Sequence, residues 1–181
     1  MWTIPGTVLQ IKRADADYIP QQMEALFFGG GITLSQVTGI TGLEAYTVQN
    51  WVKRGFLTSP VGKRYTLRQL CRILNINMLR GTMSIERICT LLAYVNGQLD
   101  DESDDMIDDS HLYFLFVKLA VRMKELYDPE RANEILEEYL ADYEEPIPGA
   151  RDRVREVLRI MLTAWLAARM AQKAEKMLTN L

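Results

Sequence analysis

The sequence predicts a mainly all-α protein: a helix-turn-helix with a small β-hairpin wing, followed by a C-terminal helical domain that ends in one long helix. Three observations predict it. Apolar residues recur at three- and four-residue spacing in one segment after another. The helix-starting residues Thr33, Thr66 and Ser84 stand just ahead of such segments, and glycines punctuate them. The run GFLTSPVGKRY, residues 55–65, breaks the helical pattern with turn chemistry and cations.

Residues 1–19 lack sustained periodicity and read as an arm whose Trp2, Ile4, Val8, Leu9 and Ile11 pack on the body. Pro20 opens a short helix through Phe28, with Met23, Leu26, Phe27 and Phe28 apolar, and Gly29-Gly30-Gly31 stops it. Thr33 is the N-cap of the next helix, with Gln36 in the capping-box position and Gly39 as its end. A third helix over 43–54 places Leu43, Val48, Trp51 and Val52 on one face and Glu44, Tyr46, Gln49, Asn50 and Lys53 on the other. Two short helices joined by a glycine turn, the second presenting polar side chains, form the arrangement of a helix-turn-helix.

Gly55 closes the third helix. Phe56-Leu57 then reads as a strand, Ser59-Pro60-Val61-Gly62 as a turn and Lys63-Arg64-Tyr65 as the return, giving a wing with cations at its tip. Thr66 and Ser84 cap two further helices, and the basic module is complete by Gly97. In residues 98–110, QLDDESDDMIDDS, seven carboxylates stand without a cation; the spaced ligands and glycine of a calcium loop are missing, so they read as a solvated linker or a helix-capping loop. Three helices follow: 111–127, with Leu112, Leu115, Leu119, Met123 and Leu126 apolar; 129–143, opened by Asp128-Pro129; and 150–179. In the last, Val154, Val157, Met161, Ala164, Ala168 and Ala171 form a stripe, widened by Leu158, Leu162, Trp165 and Leu166. Four segments result: an arm and short helix at 1–32, a winged-helix domain at 33–97, an acidic linker at 98–110 and a C-terminal helical domain at 111–181.

At 181 residues and 48% apolar, the chain has enough material for a substantial core. No stretch suits a bilayer, and Lys12-Arg13 is not followed by the apolar region of a secretory signal, so the expectation is a soluble cytoplasmic protein without a membrane partner. Cys71 and Cys89 sit in apolar helical patterns without metal-ligand spacing and read as reduced core residues. No metal or other cofactor is expected. The net charge of -3 conceals a division: residues 1–97 hold ten Lys/Arg and five Asp/Glu, residues 98–148 four and sixteen, residues 149–181 seven and three. A basic front half suits a nucleic-acid partner.

Residues 33–92 resemble the winged-helix domain of MerR-type transcriptional regulators. The likeness rests on Thr33 to Gly39, Thr47-Val48 and Trp51, Gly55-Phe56-Leu57, Pro60, Arg64-Tyr65-Thr66 and the helix start Met83-Ser84-Ile85-Glu86-Arg87-Ile88. The whole chain is similar to an uncharacterised bacterial family of unknown function that has such a domain in its front half. The resemblance implies a bacterial cytoplasmic homodimer that regulates transcription by binding double-stranded DNA, with helix 43–54 in the major groove and the wing, 56–65, on phosphates. Tyr46, Gln49 and Asn50 are then the candidates for base edges, and Lys53, Arg54, Lys63 and Arg64 for phosphate contact. Gln49 and Asn50 stand where MerR-type domains carry an Arg and a Tyr, and the metal-binding cysteines of that family's metal sensors are absent.

Other readings are a protein-protein interaction module, whose acidic 98–145 region docks on a basic surface, and an architectural DNA-binding factor of the phage excisionase type. An enzyme is not expected, because Asp108, Asp109, Ser110 and His111 are adjacent at a helix start and cannot converge as a catalytic triad. There His111 reads as a surface residue, with Ser110 or Asp109 as the cap. The C-terminal helices serve dimerisation in the simpler reading; a small-molecule effector beside Met161, Trp165 and Met170 is the alternative use.

Overall fold

The computed structural model describes residues 1–123 and 128–180. In chain order they form β1 (Trp2–Thr3), β2 (Gln10–Ile11), α1 (Ile19–Ala25), β3 (Ile32–Thr33), α2 (Leu34–Thr41), α3 (Ala45–Lys53), β4 (Arg64–Tyr65), α4 (Leu67–Leu79), α5 (Ile85–Asn96), α6 (Asp109–Arg122), α7 (Pro129–Tyr139) and α8 (Ala150–Thr179). The expected fold class is observed: a helical protein with two small antiparallel strand pairs, β1 with β2 and β3 with β4, and a long last helix.

Helix α4 is the hub. Ten of its thirteen residues are buried, and Leu70, Cys71, Ile73, Leu74, Ile76 and Leu79 have no exposed surface. Such a helix needs cover on every side. It packs against α6, α8, α5 and α2, so one contiguous core runs through both the front half and the C-terminal helices. Helix α8 contributes Val154, Val157, Leu158, Met161, Leu162, Ala164, Trp165 and Leu166 to that core, with the Trp165 ring edge-on to Phe116 at 5.8 Å. Full burial stops after Leu166: Ala168 and Arg169 are half-buried, while Ala171 and every other residue from Met170 to Thr179 are exposed.

Three polar residues of α4, Gln69, Arg72 and Asn75, lie in the core. Arg72 and Asn75 are buried, and both turn to the first residue of α6. The Arg72 guanidinium lies 3.2 Å from the Asp109 carboxylate and donates from Nε to the Phe56 carbonyl at 3.0 Å, while Asn75 Nδ2 donates to the Asp109 carbonyl at 3.3 Å. Asp109 is therefore a buried ion-pair partner and not a helix cap. The cap of α6 is Asp108, which accepts from the Ser110 and His111 amides. Burial pushes the Asp109 carboxyl above its usual range, against the opposing pull of Arg72.

The acidic segment works largely as capping and pairing chemistry. Arg68 bridges Glu102 and Asp105, both at 2.9 Å, and Asp104 accepts the Gln98 amide. Burial raises the Asp105 carboxyl to about 6, with Arg68 pulling it down and Asp109, Asp104 and Asp108 pushing it further up.

Several expectations are corrected. The arm contains a hairpin, so Trp2 and Ile4 are buried and Ile11 is half-buried, but Val8 and Leu9, at its turn, are exposed. Gly6 has a φ of +75°, and a Cβ there would stand 2.5 Å from the Leu74 carbonyl oxygen, so the turn fits against α4 only as glycine. Helix α1 ends at Ala25, and the turn that follows leaves Leu26 and Phe28 in solvent. Gly39 lies inside α2, whose end is Gly42 in the left-handed conformation. Leu126 lies outside the described residues.

Two outcomes are expected. Arg72→Ala strands a buried carboxylate and lowers the unfolding free energy in urea by about 3–5 kcal/mol, whereas the double change Arg72→Met with Asp109→Leu costs much less than the two single changes summed. Asp105 is protonated more readily in the fold than in the unfolded chain, where its value is 3.8. Its contribution to stability is thus complete below that value and disappears as pH rises through about 6. The Tm of Asp105→Asn relative to the parent rises between about pH 4 and pH 7, as followed by thermal melts across that range.

Candidate nucleic-acid interface

The local sequence of α3, AYTVQNWVK, sorts itself by helical period. Val48 and Trp51 point inward and are buried, while Tyr46, Gln49, Asn50 and Lys53, spaced i, i+3, i+4 and i+7, form one exposed stripe. The preceding α2 begins with a complete Thr33/Gln36 capping box. Helix α3 stops in a Schellman arrangement: the Phe56 amide donates to the Trp51 carbonyl at 2.9 Å and Gly55, at φ +75°, donates to the Val52 carbonyl at 3.0 Å.

The segment after it differs from the expected two-stranded wing. Phe56 and Leu57 form no strand. Leu57 is buried, the Phe56 carbonyl is taken by Arg72, and Gln69 Nε2 donates to the Thr58 carbonyl, the Thr58 hydroxyl and the Ser59 carbonyl at 3.1, 2.9 and 3.1 Å. The Phe56, Thr58 and Ser59 carbonyls are thus taken by α4 side chains and not by a ladder. Strand β4 pairs instead with β3, Ile32 opposite Tyr65 and Thr33 opposite Arg64. The hairpin tip is tighter than expected: Val61 bridges Arg64, and Gly62 and Lys63 occupy the two central positions with φ of 56° and 61°. Positive φ at both positions is the signature of a type I′ turn. Glycine adopts that conformation freely, but a lysine there is strained by roughly 1 kcal/mol or more.

The seven candidate residues are all exposed. The structure brings Tyr46, Gln49, Asn50 and Lys53 together on one helix face and sets Lys63 at a projecting tip. Two of the cations are engaged within the chain. Arg54 pairs with Glu86 at 2.7 Å and lies 4.5 Å over the Phe56 ring, and Arg64 donates to the Gly31 carbonyl at 2.8 Å. Hydrogen bonding and the Arg54 charge hold the Glu86 carboxyl below its usual value. Lys53 and Lys63 have no ion pair among the described residues.

Elsewhere, the Ser110 hydroxyl and the His111 ring both meet the Asp108 carboxylate and not each other. Cys71 is buried, with its thiol pushed up by burial, and Cys89 is half-buried; both are free. No group of three or more His, Cys, Asp or Glu residues suited to a metal ion occurs among the described residues, and no helix among them is long and apolar enough to cross a membrane.

Residues 31–116 match a family model described as a domain of unknown function, DUF1836. The chain is similar to a protein of Bacillus subtilis (strain 168), described as uncharacterized protein YkrK, with 25% identity over 162 residues, 83% of this chain and 70% of the relative. No solved structure matches. The matched 31–116 segment begins just before β3 and ends inside α6, so it contains both Arg72 and Asp109.

Sequence reading alone passed over Gln69 and Arg72 as the residues that seat the hairpin. The available signal was Gln69, Arg72 and Asn75 interleaved with the apolar residues of α4, where a buried polar side chain has to find a partner. Gln69→Leu should keep the volume but leave the Thr58 and Ser59 carbonyls and the Thr66 amide short of partners. The expected cost is about 1–3 kcal/mol, with faster amide exchange over residues 58–63 while α6 and α8 keep their protection.

Proposed function

We propose that the chain is a sequence-specific transcriptional regulator of the MerR-like winged-helix type, acting in the cytoplasm as a homodimer on double-stranded DNA. The observation that carries this reading is the exposed stripe Tyr46, Gln49, Asn50 and Lys53 on a helix anchored by Trp51, beside a strained tip that holds Lys63 in solvent. A helix with that face fits the major groove, where the Gln49 and Asn50 amides suit the donor and acceptor pair of adenine and Tyr46 reaches the neighbouring base. Lys53 and Lys63, both in solvent, are the cations free to meet phosphates.

Arg54 and Arg64 complete the set on contact. The Arg54 to Glu86 pair is half exposed, with side chains 47% and 59% accessible, and such pairs are weak enough for a phosphate to displace the carboxylate. Arg64 uses one guanidinium nitrogen on Gly31 and has others to offer.

Dimerisation is supported by the end of α8. From Met170 onward the helix continues to Thr179 with every residue exposed, Met170, Met177 and Leu178 among them. Unsupported helix of that length is marginal in water, and a second copy supplies the missing surface.

Affinity for a duplex, followed by fluorescence anisotropy, should fall by about 0.9 log unit per log unit of salt for each phosphate neutralised. Lys63→Gly removes a cation and relieves the positive φ. It should leave Tm unchanged or slightly raised, while lowering affinity on every sequence and the salt slope by about 1. Gln49→Ala should alter sequence preference at one position, by about 1–3 kcal/mol. If Lys63→Gly binds duplex as its parent does with the same slope, the tip is not a phosphate contact. In sedimentation equilibrium the parent should be dimeric and the double variant Met170→Glu, Met177→Glu monomeric; a monomeric parent removes the dimer.

A further inference from the structure

We propose that the cleft between the α4–α5 turn and α8 is a binding site for a small organic anion with a flat apolar body. The cleft holds about 680 Å³, within the range of small-molecule sites. Its walls include Arg80 on the turn, Met83 and Ser84 at the start of α5, and Trp165, Arg169 and Gln172 on α8.

Charge is the first argument. Two guanidiniums line the cleft and no carboxylate does. Neither Arg80 nor Arg169 makes an ion pair among the described residues, whereas Arg68, Arg72, Arg122 and Arg155 all find carboxylates in this acid-rich chain. Two unpaired guanidiniums facing one concavity leave an electrostatic demand that an anion meets. The first turn of α5 opens on the same space, and its partial positive charge adds to theirs.

Preorganisation is the second. The Arg169 guanidinium lies 4.8 Å from the centre of the Trp165 ring, a cation–π contact that holds it at the cleft wall while no acceptor among the described residues takes its N–H groups. A guanidinium held there presents a planar fork, which fits a carboxylate edge-on. Met78, Met83, Ile85 and the Trp165 ring supply the apolar wall beside it. A concave cleft with an aromatic wall suits a compact ligand more than the convex phosphate ridge of a duplex.

The position gives such a ligand a consequence. Asn77 lines the cleft and donates to the carbonyls of Gly6 and Thr41, the latter at the end of α2, at 2.8 and 3.1 Å. An occupant therefore touches α8 and, through one side chain, the helix that precedes α3. The inference does not depend on DNA binding.

The test is calorimetric titration of the full chain with 2-naphthoate and with its neutral counterpart 2-naphthamide. The expected result is saturable 1:1 binding of the naphthoate, with Kd on the order of 1 mM for a ligand of that size. The amide should bind about tenfold more weakly, and Arg80→Gln or Arg169→Gln should each weaken the naphthoate by about tenfold, since a charged hydrogen bond is lost. Arg87→Gln, outside the cleft, should bind as the parent. Arg80 is exposed, so its variant decides the matter even if Arg169→Gln melts early. The proposal is overturned if acid and amide bind alike, if the naphthoate fails to saturate below about 10 mM, or if both Arg variants keep naphthoate binding and instead lose duplex affinity, which would make the cleft a phosphate contact.

Discussion

One buried guanidinium sets the geometry of the molecule. Arg72 sits in a helix that the surrounding sequence forces into the core, and its charge must be met there. It is met from two directions, by the Phe56 carbonyl at the base of the hairpin and by the Asp109 carboxylate at the start of α6. The same side chain thus ties the exposed α3 and tip to the helical body. Desolvation opposes the pair, as the raised Asp109 carboxyl shows, so its worth lies less in net stability than in the position it enforces. The cost of removing either partner alone follows from the same fact.

With α4 fixed in this way, the division of charge acquires a structural meaning. The acidic 98–110 segment supplies Glu102 and Asp105 to Arg68 and Asp109 to Arg72, while Asp108 caps α6. The cations of α4 are consumed within the chain. Those left in solvent on the front half include Lys53 on α3 and Lys63 at the tip, and it is from these that the proposed DNA contact is built. Gln69 completes the arrangement by seating Thr58 and Ser59 on α4, so the tip projects from a fixed base.

Much of the fold was legible because local chemistry and burial agree. Thr33 with Gln36, Thr66 with its partner three residues on, and Ser84 cap the helices they were expected to cap. The alternation of Val48 and Trp51 against Tyr46, Gln49 and Asn50 needs nothing beyond the helical period. What was not legible depends on distant partners. The strand partner of Arg64–Tyr65 is Ile32–Thr33, some thirty residues away, and a local reading favoured the nearer Phe56–Leu57. Asp109 reads as a candidate cap within an acidic run, because only the fold places it beneath α4. Gly39 reads as a stop until the left-handed Gly42 is seen to end the helix.

The most direct measurement of the central claim is selection of bound sequences from a random duplex pool by the full-length protein. The account predicts enrichment of a two-fold symmetric motif, with adenine at the position where Gln49→Ala selects a different base. Recovery of no enriched sequence, or of a motif indifferent to Gln49 and Asn50, would contradict it and leave a helical binding module whose exposed α3 serves another partner.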